Sequence, residues 1–324
     1  MVLNRQLALP FSTSQDLFPM RRFPYYLNML LLIALWPIPR LLAQERLEMR
    51  LETTFVPEGT AQLIKYTVML PPEVPGRQED INMSASHAPH RVFTRDGQPY
   101  AEFRFSRVKE PVSLQLHLSM EVYPYDLRRI TSPVEPLNYP GTWLQPEPFL
   151  EVEAPEIQTL ARQLAGADVW ASVRKSYQAV RDSLTYDPQQ QGALGALTAL
   201  RDGRGDCTEY ADLLTALLRA QGIPARTVNG WVFGVTEGNP NHHWTEVWLV
   251  EYGWVPLDPT LGMPLPERPD RLIPHPNARY VRLSSQRVDP LCGSSTNHWK
   301  AWGKVEASYR YSHRLRPLLQ ARQK

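Results

Sequence analysis

The chain is 324 residues long, 43% hydrophobic and carries a net charge of +2. That apolar content excludes global disorder, and so small a charge excludes nucleic acid as the main partner. Proline is abundant, at 31 residues, roughly double the usual share of about 5%, which excludes a long helical bundle and favours short strands joined by ordered loops.

The N-terminus has the pattern of a targeting segment. Arg21 and Arg22 precede an apolar run from Leu27 to Trp36 that Asn28 alone interrupts, and Pro37, Pro39 and Arg40 end it before Leu41-Leu42-Ala43-Gln44. A basic region, a short apolar region and a small residue before a cut predict a secretory signal over residues 1–43, ending at Ala43. The run is about half of the roughly 20 apolar residues that a membrane span needs. Arg40 and Leu41 depart from the preferred cleavage pattern, so an uncleaved membrane anchor is the alternative, and Met20 competes with Met1 as the start. Either version predicts export, and the anchor would tie the protein to the membrane or cell envelope.

From Arg46 to about Tyr125 the pattern has period two. Val112, Leu114, Leu116, Leu118, Met120 and Val122 share one strand face, and Leu47 to Leu51 and Ala101 to Phe105 alternate in the same way. Pro57-Glu58-Gly59 and Arg95-Asp96-Gly97 supply turns between such runs. Strands without an intervening helix predict a small β-sandwich over residues 44–131. His87, His90 and His117 lack metal-ligand spacing and read as surface or packing residues.

A proline-rich linker from Ser132 to Pro148 opens a second domain, residues 132–265. Trp170, Val173, Tyr177, Val180 and Leu184 form a helical stripe with Asp168 as its N-cap. A short helix over Ala193 to Leu200 closes at Asp202-Gly203. A third helix buries Ala211, Leu214 and Leu218 and stops at Gly222, with Pro224 beyond. Thr227–Phe233, His242–Val250 and Trp254–Leu257 read as strands, so this domain is α+β, with helices packed on an antiparallel sheet. Residues 266–324 hold two more alternating segments, Tyr280–Leu283 and Val305–Tyr311, expected to add strands to the core. The basic tail (Arg314, Arg316, Arg322, Lys324) reads as a solvated surface.

The stretch GRGDCTEYADLLTALLRAQGIPAR sets Cys207 at the mouth of the third helix. Free cysteine, with a pKa of about 8.5, is only a few per cent ionised at neutral pH, and a helix N-terminus favours its thiolate. Gly203 and Gly205 permit a close approach there. The polar neighbours Asp206, Thr208 and Glu209 argue against a merely structural thiol, with Glu209 a first-turn residue favoured by the helix dipole. A disulfide to Cys292 is the alternative for an exported chain, but the surroundings of Cys207 favour a free thiol.

Downstream, NHHWTEVWL and YGWVPLDPT supply imidazoles and a carboxylate. Alternation puts His242, Trp244 and Glu246 on one strand face and His243 on the other, without saying which face meets the thiol. The HHxxxE cluster does not gather metal ligands on a strand as it would on a helix. Asp258 reads either as the orienter of an imidazole or as a turn-forming residue before Pro259.

Residues 200–262 resemble the core of the transglutaminase-like superfamily, papain-type thiol enzymes with bacterial members. Its Gly-x-Cys helix and R-A-x-G-I-P-A-R turn occur here as GDCTEYADLLTALLRAQGIPAR, its His-Ala-Trp-x-Glu strand as His242–Glu246, and its Trp-x-x-x-Asp-Pro-Thr segment as Trp254–Thr260. His243 stands in the alanine position. The resemblance implies a papain-like core behind a β-sandwich, with Cys207 as nucleophile, His242 as its base and Asp258 as orienter. It implies attack on a carboxamide or peptide carbonyl of a protein or peptide substrate, through a thioester resolved by water or an amine. Hydrolysis is the first expectation, since cross-linking must also exclude water. The backbone N–H of Cys207 would hold the oxyanion, with Tyr186 as candidate second donor and Trp244 as support; core packing is the other reading of Tyr186. No metal or organic cofactor is implied. A non-enzymatic binding or envelope-assembly module built on the same core is the competing function.

Overall fold

The computed structural model describes residues 44–124, 141–235, 238–262, 264–269, 272 and 278–318. The expected signal over 1–43 and most of the expected linker lie outside them. The alternating N-terminal segments form β1 (Glu45–Met69), β2 (Gln78–Ala85), β3 (Arg91–Arg95), β4 (Gln98–Val108) and β5 (Val112–Val122). They are joined in the order β2-β5-β1-β4-β3. The 25-residue β1 pairs β5 along its first part, Glu45–Phe55, and β4 along its last, Ala61–Met69. One hydrogen-bonded sheet thus folds over its own core. The period-two face drives it: Leu47, Met49, Leu51 and Phe55 meet Leu114, Leu116, Leu118 and Met120, all buried. Each such side chain contributes about 1.5–3 kcal/mol on burial.

The second half comprises α1 (Pro155–Leu164), α2 (Val169–Ser183), β6 (Thr185–Tyr186), α3 (Ala196–Asp202), β7 (Arg204–Gly205), α4 (Cys207–Ala220), β8 (Ala225–Phe233), β9 (Asn241–Leu249) and β10 (Gly253–Leu257). Asp168 caps α2, its side chain accepting from the Ala171 N–H. The C-terminal strands are β11 (Arg279–Ser284) and β12 (Asn297–Pro317). They divide their allegiance: β11 completes an antiparallel sheet of order β10-β9-β8-β11, whereas β12 runs along β1.

The helix α4 sits at the centre of this half. Every residue from Glu209 to Arg219 is buried, not only the stripe expected from periodicity. Two of its four buried polar residues, Asp212 and Arg219, explain why the pattern was hidden. Asp212 meets Arg287 of the β11–β12 connection at 2.6 Å, and Arg219 donates to the Ala225 and Gln145 carbonyls. Segments outside the helix bind these groups, so a polar residue here does not mark solvent.

The two sheets share a core. Trp231, Phe233, Val281 and Leu283 join the cluster formed by β1, β4 and β5. Arg77 binds the Glu246 carboxylate at 2.8 Å, while Gln78 exchanges hydrogen bonds with the main chain of Arg282. The β1–β2 connection therefore braces β9, which carries both histidines, and the start of β2 braces β11.

Candidate active site

Cys207 opens α4 and is partly exposed. The helix start is a capping box: Asp206 accepts from the Thr208 N–H at 2.7 Å, and Glu209 accepts from the Asp206 N–H at 3.0 Å. Glu209 also accepts from the Leu194 N–H at 2.9 Å, tying the preceding loop to the helix. Its carboxyl is buried, which pushes its pKa up. Gly205 is required by this buried side chain, because a Cβ there would fall 2.3 Å from the Glu209 Cβ. Gly203, at φ +64°, ends α3 in the left-handed conformation. The glycines before the cysteine thus serve the turn and the cap.

His242 begins the buried part of β9, and its Nε2 lies 2.9 Å from Asp258 Oδ2. That leaves Nδ1 as the remaining ring nitrogen for the thiol. Burial opposes the charged ring, but the charge and hydrogen bond of Asp258, followed by those of Cys207, raise its pKa to about 10. Asp258 touches both the turn and the imidazole. Oδ1 accepts from the Thr260 and Leu261 N–H groups, forming the turn, while Oδ2 faces the imidazole. Burial would raise its pKa, but His242 and these donors hold it below the ordinary carboxylate value.

The neighbouring imidazole is turned elsewhere. His243 Nδ1 lies 3.3 Å from the Thr208 hydroxyl, and its Nε2 is buried without a hydrogen-bond partner among the described residues. Burial, then the charges of Arg287 and His242, push its pKa down to about 3. It stays neutral. Glu246 is engaged by Arg226 and Arg77 at 2.7 and 2.8 Å, so the HHxxxE pattern does not converge on a common point.

Tyr186 lies half-exposed opposite Gly205 in the short β6–β7 pair. Its pKa is raised by burial first and then by the proximity of Cys207 and Asp206. Trp244 is fully buried, its ring nearly parallel to that of His242 at 6.5 Å and edge-on to Tyr280 at 5.2 Å. Two tyrosines at this site escaped the sequence reading. Tyr280 donates to Asp258 Oδ2 at 2.8 Å, and Tyr177 donates to the Asp258 carbonyl at 2.7 Å. Tyr177 was legible only as part of an apolar stripe and Tyr280 only as part of a strand. Cys292 is buried in the N-terminal core as a free thiol, so the two cysteines are not bonded.

Residues 158–259 match the family model described as the transglutaminase-like superfamily. A protein-glutamine gamma-glutamyltransferase of Pseudomonas aeruginosa is 39% identical over 94 residues, covering 26% of this chain and 14% of that protein. An uncharacterized Bacillus subtilis protein is 37% identical over 75 residues, covering 19% and 10%. The matches thus span only a small part of these relatives. The crystal structure of a proposed cysteine protease from Cytophaga hutchinsonii superposes with a TM-score of 0.61 at 15% identity, covering 86% of this chain and 95% of that one. At that identity the likeness speaks for the fold. The segment that carries Cys207, His242 and Asp258 is therefore the one that matches the transglutaminase-like superfamily.

Proposed function

We propose that this protein is an exported thiol enzyme that acts on amide bonds of proteins or peptides through a thioester on Cys207. The observation that carries this reading is the buried His242–Asp258 pair, 2.9 Å apart, whose imidazole interacts with a thiol at a helix N-terminus. In the proposed cycle the thiolate of Cys207 attacks the carbonyl carbon. The protonated ring of His242 gives its proton to the departing nitrogen as the C–N bond breaks. Asp258 holds the ring by Nε2 and balances its charge. The Cys207 N–H, with the Tyr186 hydroxyl as second donor, faces the developing oxyanion. Water or an amine then attacks the thioester, regenerating the thiol. Hydrolysis is the first reaction to test, and the glutamyltransferase activity named for the Pseudomonas relative makes amide exchange the second.

Export rests on the Arg21–Ala43 pattern alone. Among the described residues no helix is long and apolar enough to cross a membrane. Mass spectrometry of the protein from expressing cells should find an N-terminus near Gln44. The activity is tested by incubating the mature protein with a library of glutamine-containing peptides, with and without a primary amine. Released ammonia, or an amine-coupled product, that disappears in Cys207→Ser supports the reading. Turnover that persists in Cys207→Ser contradicts it.

A further inference from the structure

The carboxylate of Asp258 is saturated with donors. Oδ1 takes two backbone N–H groups, and Oδ2 takes both the His242 ring and the Tyr280 hydroxyl, at 2.9 and 2.8 Å. We propose that Tyr280 is a positioning residue: by sharing Oδ2 with His242, its hydroxyl limits how tightly the carboxylate holds the imidazolium proton. The proposal deepens the thiol-enzyme reading and rests on it for its functional meaning.

The geometry leaves the phenol little freedom. Tyr280 is carried by β11 opposite Val232 of β8, and its ring meets the Trp244 ring edge-on. Trp244 is itself wedged over Gly230, where a Cβ would fall 2.7 Å from the indole and 2.2 Å from the Val281 carbonyl. Strand register, indole and carboxylate therefore fix the hydroxyl together. Burial and the charge of Asp258 keep this hydroxyl protonated, so it donates. Tyr280 also lies beyond residues 158–259, which match the family model. The donor belongs to the C-terminal segment of this chain.

The chemical consequence follows from competition at one oxygen. A carboxylate oxygen that accepts a second hydrogen bond has less electron density for the first. With Tyr280 in place, the imidazolium is held in orientation yet can pass its proton to a leaving nitrogen. Without the phenol, the pair tightens and the ring becomes a poorer acid. The other groups that bear on this pair are Cys207 and neutral His243 beside the ring, and Tyr177 and Tyr186 around Asp258.

The test needs no substrate. In mature protein with 13C-labelled histidine rings, the His242 resonance is identified by its loss in His242→Ala and titrated in wild type and Tyr280→Phe. The expected result is a midpoint raised by about half a pH unit in Tyr280→Phe, the scale of one redistributed hydrogen bond. An unchanged or lowered midpoint overturns the proposal. Tyr177→Phe removes a hydroxyl that touches the carbonyl instead and should leave the midpoint in place; an equal shift there would reduce Tyr280 to general packing. Site-specific 3,5-difluorotyrosine at 280, a stronger donor that keeps the ring shape, should lower the midpoint, and covers the case in which the phenylalanine variant fails to fold. Iodoacetamide labelling of Cys207 judges the enzymatic reading separately. Equal rates in wild type and His242→Ala would remove that reading and leave the titration result standing.

Discussion

The two adjacent histidines differ in a way that stability measurements can read. His243 is held neutral down to about pH 3, against an ordinary value of 6.5. A folded-state value below the unfolded one means that the unfolded chain binds the extra proton between these limits. Stability from this residue is therefore present above pH 6.5 and is lost as the pH falls towards 3. From pH 6.5 to 4.5 the loss comes to roughly 2 kcal/mol, at about 1.4 kcal/mol per pH unit once past the midpoint. Asp212 acts in the opposite sense over a similar window, because burial, only partly offset by Arg287, lifts its value to about 7. In the wild type the two contributions offset each other, so the effect of His243 shows only by difference. Urea unfolding of wild type and His243→Ala at pH 7.5, 6.5, 5.5 and 4.5 supplies that difference. The variant should start less stable, through the cavity left by the ring, and recover about 2 kcal/mol relative to wild type on acidification to pH 4.5. The cavity shifts every pH equally and drops out of the slope. A stability difference that stays constant across the series would refute the neutral assignment of His243.

Cys207→Ser should abolish amide turnover with the melting temperature preserved. Cys292→Ser should leave turnover intact, since that thiol lies in the N-terminal core; a kinetic assay of both variants decides. Asp258→Asn should lower kcat less than His242→Ala, for which a loss of about a hundredfold or more is expected, because the ring survives but loses its charged partner. Arg287→Met should cost about 3–5 kcal/mol in urea unfolding at about pH 8, the scale for leaving a buried carboxylate unpaired, and a loss below about 1 kcal/mol would show that Asp212 takes up a proton instead of staying charged.

What was legible in the sequence were the features whose geometry is local. The helix start at Cys207 with Glu209 in its first turn, the alternation around His242 and the turn at Asp258-Pro259 each declare themselves within a few residues. The period-two face of Val112–Val122 likewise pointed to a β-rich first half, and the strand does line its core. What stayed hidden depends on partners far along the chain. The pairing of β12 with β1 joins opposite ends of the described chain, and periodicity carries no information about which strands meet. The same is true of Tyr280 at Asp258 and of Arg287 at Asp212, where an ordinary strand residue and a loop arginine become parts of the site only through tertiary contact. The all-round burial of α4 belongs to this class too, since its interior charges are neutralised from outside the helix.

Whether Cys207 and His242 form one reactive pair is read most directly from the second-order rate of iodoacetamide alkylation at Cys207, mapped by peptide mass spectrometry at pH 6. A thiol paired with an imidazole base is a more reactive nucleophile than a free one, so wild-type Cys207 should react at least about tenfold faster than free cysteine at that pH. In His242→Ala the rate should fall most of the way towards that of free cysteine. Equal rates in the two proteins, or a wild-type rate no greater than that of free cysteine, would contradict the pairing.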